Sequence, residues 1–140
     1  MENSPLDLLI PEKWRKAFEM VELREKGEGD SGEMTMLLRE RKEMVPASLI
    51  DKDHVLNGFM DPIEIIDFPF RGKLMHITFL RRRWKLRGEN ESHFNTYEFH
   101  RPGMKTTDEF GDFLKAFDRE EFDELCRVWP VLRDLREEDL

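Results

Sequence analysis

The sequence predicts an α+β domain: two β-hairpins and an extra strand form a mainly antiparallel sheet, with short N-terminal helices and amphipathic C-terminal helices. Two stretches that each contain a turn alternate apolar and polar residues, and a further stretch after the second hairpin is also rich in β-formers. The C-terminal third changes to helical spacing. No repeat or low-complexity linker divides the chain, so we expect a single domain over residues 1–140, with an acidic helical extension over about 118–140.

The N-terminus predicts two short helices. Ser4 followed by Pro5 is typical of a helix start, because serine caps free backbone N–H groups and proline fits the first helical position. Trp14, Ala17 and Phe18 then lie at helical spacing, which predicts a second short helix with an apolar face.

The first hairpin is predicted over residues 19–41. Val21 and Leu23 alternate with polar residues, a glycine-rich turn follows, and Met36 and Leu38 continue the alternation on the returning strand. Residues 42–59 show no sustained periodicity, so we expect a long connection or an irregular helix there.

The second hairpin is the clearest β signal. An isoleucine-rich run at 63–68 precedes a turn at 69–72, and residues 74–86 predict one long partner strand. Residues 94–100 are expected to add one more strand.

Two amphipathic helices are expected at the C-terminus. Thr106 with Glu109 three residues later predicts a capping box at the start of the first, and Asp118 can cap the second. Pro130 interrupts the second helix, which can continue after a kink.

Charge is unevenly distributed along this acidic chain. The formal net charge is -8, but residues 71–105 hold nine basic and three acidic residues, a net of 9 - 3 = +6, which leaves -14 for the rest. A surface that binds polyanions everywhere is excluded, whereas a local basic surface is not. No apolar run reaches the ~20 residues of a membrane span and no secretory signal is present, so we expect a cytoplasmic protein without membrane contact.

The most informative segment is 76–87, where an apolar strand becomes basic. Strand alternation places Arg81, Arg83, Lys85 and Arg87 on one face, at a spacing of roughly 7 Å that suits nucleic-acid phosphates. Trp84 could stack on a base or pack in the core. The predicted nucleic-acid contacts are Arg71, Lys73, Arg81, Arg82, Arg83, Trp84, Lys85 and Arg87. The alternative is a solvated strand end whose cations pair with the acidic helices.

Catalytic and metal chemistry find little support. The four histidines lack helical ligand spacing, and a single cysteine, Cys126, excludes an internal disulfide and a zinc ribbon of paired cysteines. A hydrolase that uses His93 or His100 with Glu98 would also need a nucleophile, and the sequence contains no recognisable motif for one. We therefore expect no enzyme, no metal and no cofactor.

Four motifs resemble the N-terminal region of bacterial insertion-sequence transposases of the ISAon type, which is sometimes encoded as a separate small protein. They are Leu-Asn-Gly-Phe at 56–59, Ile-Ile-Asp-Phe-Pro-Phe-Arg-Gly-Lys at 65–73, Arg-Arg-Arg-Trp at 81–84, and Gly-Met-Lys-Thr-Thr-Asp-Glu-Phe at 103–110 with Phe-Leu-Lys at 113–115. In related transposases the corresponding hairpin lies beside a cysteine zinc ribbon that binds the element's terminal DNA. A later domain carries three metal-binding carboxylates, and neither part is present here.

The resemblance implies a non-catalytic DNA-binding or transposition accessory module that contacts the ends of a mobile element. It also implies a separately encoded transposase catalytic domain as a partner. The alternative is a protein-interaction module without DNA contact, which docks such a domain or forms a homodimer and uses Trp84 as its anchor.

Overall fold

In the computed structural model, which describes residues 4–26, 32–100, 103–135 and 139–140, a run of strands lies between short N-terminal and C-terminal helices. The strands are β1 (Phe18–Glu25), β2 (Glu33–Glu40), β3 (His54–Phe59), β4 (Ile63–Phe70), β5 (Lys73–Leu80) and β6 (Arg82–Leu86). The α-helices are α1 (Glu12–Arg15), α2 (Asp108–Lys115) and α3 (Arg119–Val128), and 3₁₀ helices cover Pro5–Leu9 and Pro130–Asp134. The predicted α+β class with mainly antiparallel pairing is confirmed.

The strands form two sheets rather than the one predicted. A four-stranded sheet has the order β1-β2-β5-β4, and β3 pairs with β6 in an antiparallel two-stranded sheet. The prediction of a single strand over 74–86 is wrong, because that stretch divides at Arg81 into β5 and β6. At the division, the Arg82 N–H donates to the side chain of Glu40 at 2.8 Å.

Two further predictions about strands are wrong. Residues 42–59 contain β3, whose alternation is hidden by a register shift between Leu56 and Phe59, where Gly58 adopts a φ of 77°. Residues 94–100 form no strand. The preceding residue, His93, instead makes an isolated antiparallel bridge with Trp84.

The chain divides into two compact units. The first comprises Met1–Glu22, Leu37–Ile63 and Thr78–Tyr97, and the second comprises Leu23–Met36, Glu64–Ile77 and Glu98–Leu140. In the first unit, the Phe79 ring meets Trp14 and Phe18 edge-on, with ring centroids 4.9 and 5.2 Å apart. Such contacts add to the apolar burial that stabilises a core.

The core of the second unit is built by its helices and by part of the sheet. Ile66 and Leu74 pack with Phe110 and Leu114 of α2, and with Cys126 of α3. The acidic C-terminal helix therefore buries its apolar stripe within a core while its charged side stays exposed.

The caps of the C-terminal helices agree only partly with the sequence. Asp118 caps α3 in a full capping box with Glu121, as predicted. At α2, the cap is Thr107 rather than Thr106, because the Thr107 side chain accepts the N–H of Phe110. Thr106 is fully buried.

Replacement of Gly111 by alanine is expected to destabilise the protein, although alanine normally stabilises a helix by about 1 kcal/mol over glycine. A Cβ atom at Gly111 would lie 2.7 Å from the Thr106 hydroxyl and 3.0 Å from the backbone carbon of Leu140. Overpacking of this kind costs about 1–3 kcal/mol, so we expect a net loss in the free energy of unfolding measured with urea. A gain in stability would show that this contact relaxes freely.

Candidate nucleic-acid interface

Strand β6 carries four of the eight predicted contact residues, and burial alternates along the strand and the preceding residue, Arg81. Arg82 and Trp84 are buried, whereas Arg81, Arg83 and Lys85 are partly exposed. The alternation arises because successive side chains of an extended chain point to opposite faces. We call Arg81, Arg83 and Lys85 the basic ridge.

The inward residues, Arg82 and Trp84, are unavailable to a ligand. Trp84 is 1% exposed, so the indole packs in the core and cannot stack on a base. The Nε–H of Arg82 donates to the backbone oxygen of Glu40 at 2.6 Å, and its guanidinium lies over the Phe59 ring at 5.1 Å. Burial, followed by the nearby charge of Arg39, lowers the pKa of Arg82. The prediction that Arg82 and Trp84 contact DNA is therefore wrong.

The other three predicted residues lie outside the basic ridge. Arg71 is exposed in the two-residue turn between β4 and β5, where its φ is 56°, and it belongs to the second unit. Lys73, in the same unit, lies 3.2 Å from a carboxylate oxygen of Glu25. Arg87 follows β6 and lies 2.9 Å from Asp53 in a well-exposed ion pair. Exposed pairs of this kind contribute about 0–1 kcal/mol.

The cations of the basic ridge differ from Lys73 and Arg87 in their ion pairing. Within the part of the chain that the structure describes, no carboxylate lies at ion-pair distance from Arg81, Arg83 or Lys85. Among the predicted contact residues, ion pairs between described residues are found at Lys73 and Arg87, and there the carboxylates come from β1 and from the residue before β3 rather than from the acidic helices. The positive potential of the ridge can therefore attract an anionic molecule.

Of the two guanidinium groups in the basic ridge, that of Arg83 makes fewer hydrogen bonds to the protein. Among the described residues it has no hydrogen-bond partner, and its Nε is enclosed without an acceptor. In Arg81, by contrast, Nη2 donates to the backbone oxygen of Asp61 at 3.1 Å. Gly58 leaves room for Arg83, because a Cβ atom there would lie 3.4 Å from its Nη2. A guanidinium whose N–H groups make no hydrogen bond to the described residues is well suited to bind an anion.

A shallow pocket of about 430 Å³ lies beside Arg83. The bridge between Trp84 and His93 places Ser92 and Phe94 on the same face as Arg83, by strand alternation. The lining residues, which define the aromatic pocket, are Phe59, Met60, Asp61, Arg83, Ser92 and Phe94. Sequence reasoning missed all of them except Arg83, because they come from β3, the residues after it and the bridging segment, none of which was predicted as it folds.

Glu40, the last residue of β2, anchors both the start of β6 and the segment that contains Phe94. Its carboxylate is fully buried and accepts hydrogen bonds from the Arg82 N–H at 2.8 Å, from Asn95 Nδ2 at 2.9 Å and from the Tyr97 hydroxyl. Burial and the hydrogen bond to Glu40 raise the pKa of Tyr97 well above its usual range, so the phenol stays a donor at neutral pH. Glu40 therefore helps to position both the basic ridge, through Arg82, and the aromatic pocket, through Asn95.

Other chemistry has less structural support. Within the described ranges, no group of three or more His, Cys, Asp or Glu side chains is arranged to hold a metal ion. Cys126 is buried, and burial together with Asp123 raises the pKa of its thiol, which disfavours the nucleophilic thiolate. None of the described helices combines the length and apolar character needed to cross a membrane.

Comparison of the chain with protein-family profiles, with curated proteins and with solved structures finds no match.

Proposed function

We propose that this chain is a non-catalytic DNA-contacting module that acts in transposition, in which the basic ridge binds phosphates. One observation carries the proposal: Arg81, Arg83 and Lys85 lie along one face of an extended segment, and no carboxylate of the described residues pairs with them. Sequence-independent affinity for DNA comes mainly from such cation–phosphate contacts.

The remaining basic residues contribute less under this proposal. Arg87 can exchange Asp53 for a phosphate at small cost, because their pair is exposed to water. Arg71 is exposed as well, but it belongs to the other compact unit.

The transposition context rests on the resemblance to ISAon-type N-terminal regions. It suggests the terminal DNA of a mobile element as the target, and a separately encoded catalytic domain as the protein that cuts it. The competing proposal of a protein-interaction module has less support, because Trp84, its expected anchor residue, is buried.

Reversal of two ridge charges in the double variant Arg83→Glu and Lys85→Glu is expected to weaken binding to a short fluorescein-labelled DNA duplex. If each residue neutralises one phosphate, the slope of log affinity against log salt should become shallower by about 1.8, at ~0.9 per phosphate. Fluorescence anisotropy over a salt series measures both quantities.

The matched control reverses Lys115 and Arg119, two exposed residues at the end of α2 and the start of α3. This variant changes the net charge by the same amount, so a loss that depends on total charge alone would be equal in both proteins. Equal slopes for the two variants, or no binding by the unmodified protein, would refute phosphate binding by the ridge.

A further inference from the structure

We propose that the aromatic pocket receives an unpaired nucleobase, so that the basic ridge and the pocket together prefer single-stranded DNA to duplex. This inference rests on the proposed function and names the form of DNA that the site takes. It uses two features that phosphate binding leaves unexplained, the exposed aromatic rings and the carboxylate in the pocket.

The first feature is a pair of exposed phenylalanines. Phe59 and Phe94 are 41% and 48% exposed, and both line the aromatic pocket beside Arg83. Exposed aromatic rings next to cations are typical of single-strand binding sites, because every base has a face that can stack on them. The volume of about 430 Å³ leaves room for one base and surrounding water.

The second feature is the polarity of the pocket rim. Asp61 lines the pocket together with Ser92. A carboxylate repels a phosphate but accepts hydrogen bonds from the amino groups of bases. The phosphates are therefore assigned to the ridge and the base to the pocket. Arg83, which belongs to both, can bind a phosphate or lie against the base.

Duplex DNA can use the ridge but cannot fill the pocket. Paired bases are stacked on each other, and one must leave the helix before a phenylalanine can reach its face. The cost of unstacking lowers the affinity for duplex relative to a strand whose bases are already free. The preference should persist at salt concentrations that weaken both complexes, since stacking depends little on screening.

The experiment measures the affinity of a labelled oligodeoxycytidine, whose base carries an amino group, and of a duplex of equal length by fluorescence anisotropy. The unmodified protein is expected to bind the single strand about tenfold more tightly, and Phe94→Ala should weaken single-strand binding much more than duplex binding, so that most of the advantage is lost. Phe94→Trp, which keeps a stacking surface, should retain the preference. The control is Phe70→Ala, a phenylalanine of β4 that is 40% exposed and does not line the pocket.

The outcomes separate this inference from the proposed function. If duplex binds as tightly as single strand, or if Phe94→Ala behaves like Phe70→Ala, the base pocket is refuted, whereas binding that still depends on Arg83 and Lys85 leaves the ridge intact. If neither form of DNA binds, both proposals fail. Thermal unfolding of each variant excludes a misfolded protein as the cause of any loss.

Discussion

Replacement of Asp7 by alanine is expected to lower the free energy of unfolding by about 3 kcal/mol. Asp7 and Arg41 form an ion pair at 3.0 Å in which each side chain is only 4% exposed, and Asp7 also accepts the N–H of Met20 at 3.1 Å. Its removal leaves the Arg41 guanidinium buried with its remaining partners, which include Glu19 at 3.9 Å and the backbone oxygen of Arg15 at 3.4 Å. These partners place the expected loss at the lower end of the range for a broken buried pair.

The same substitution at Asp53 provides a matched control, because Asp53 pairs with Arg87 at 2.9 Å while the side chains are 72% and 65% exposed. Water screens that pair, so its loss should change the free energy of unfolding by less than about 1 kcal/mol. Urea titration of both variants measures the difference. Equal losses would show that burial does not set the strength of the Asp7–Arg41 pair.

The hairpins and the C-terminal helices could be predicted because their signals are local. Alternation in β1 and β2, the turn at Arg71 and Gly72, and the cap at Asp118 each depend on residues close in sequence. The choice of Thr107 over Thr106 as the cap of α2 could not be made in this way, since Thr107 also donates to Asp67, forty residues earlier, at 2.7 Å.

The division of the long strand at Arg81 depends on a contact between distant residues. Nothing near Arg82 in the sequence shows that its N–H will bond to Glu40, forty-two positions earlier. A pattern of alternating residues continues unchanged through such a break. Ile77 and Phe79 are buried in β5, whereas the alternate set, Arg82 and Trp84, is buried in β6, so the buried face changes at the break. Arg81, Arg83 and Lys85 still share one face, but the pairing with β3 did not follow from any local signal.

The site residues show the same limit. Alternation correctly separates Arg81, Arg83 and Lys85 from Arg82 and Trp84, but it does not say which face is buried. Packing with the rest of the protein decides which face is buried: the Trp84 indole lies in the core, and Arg82 is enclosed beside Glu40. The aromatic pocket could not be predicted, because it joins segments about thirty residues apart, as in the bond from Asn57 to Ser92.

Replacement of Glu40 by alanine is expected to cost about 2–4 kcal/mol and also to weaken DNA binding. The variant removes the acceptor of the buried Arg82 N–H and of the partly buried Tyr97 hydroxyl, and an unsatisfied buried donor costs about 1–3 kcal/mol. Asn95 keeps a second acceptor, the backbone oxygen of Met44, so it adds little to the loss. Urea unfolding measures the stability, and anisotropy at low temperature measures binding by the protein that remains folded.

Glu43→Ala is the matched control, since Glu43 is exposed and lies three residues further along the chain. A surface change of this kind should alter stability by less than about 0.5 kcal/mol. Glu40→Gln should fall between the two variants, because its amide keeps one acceptor oxygen but turns a donor toward Tyr97. If folded Glu40→Ala binds single-stranded DNA as well as Glu43→Ala does, the ridge and the aromatic pocket do not depend on Glu40 for their placement, and its role is confined to stability.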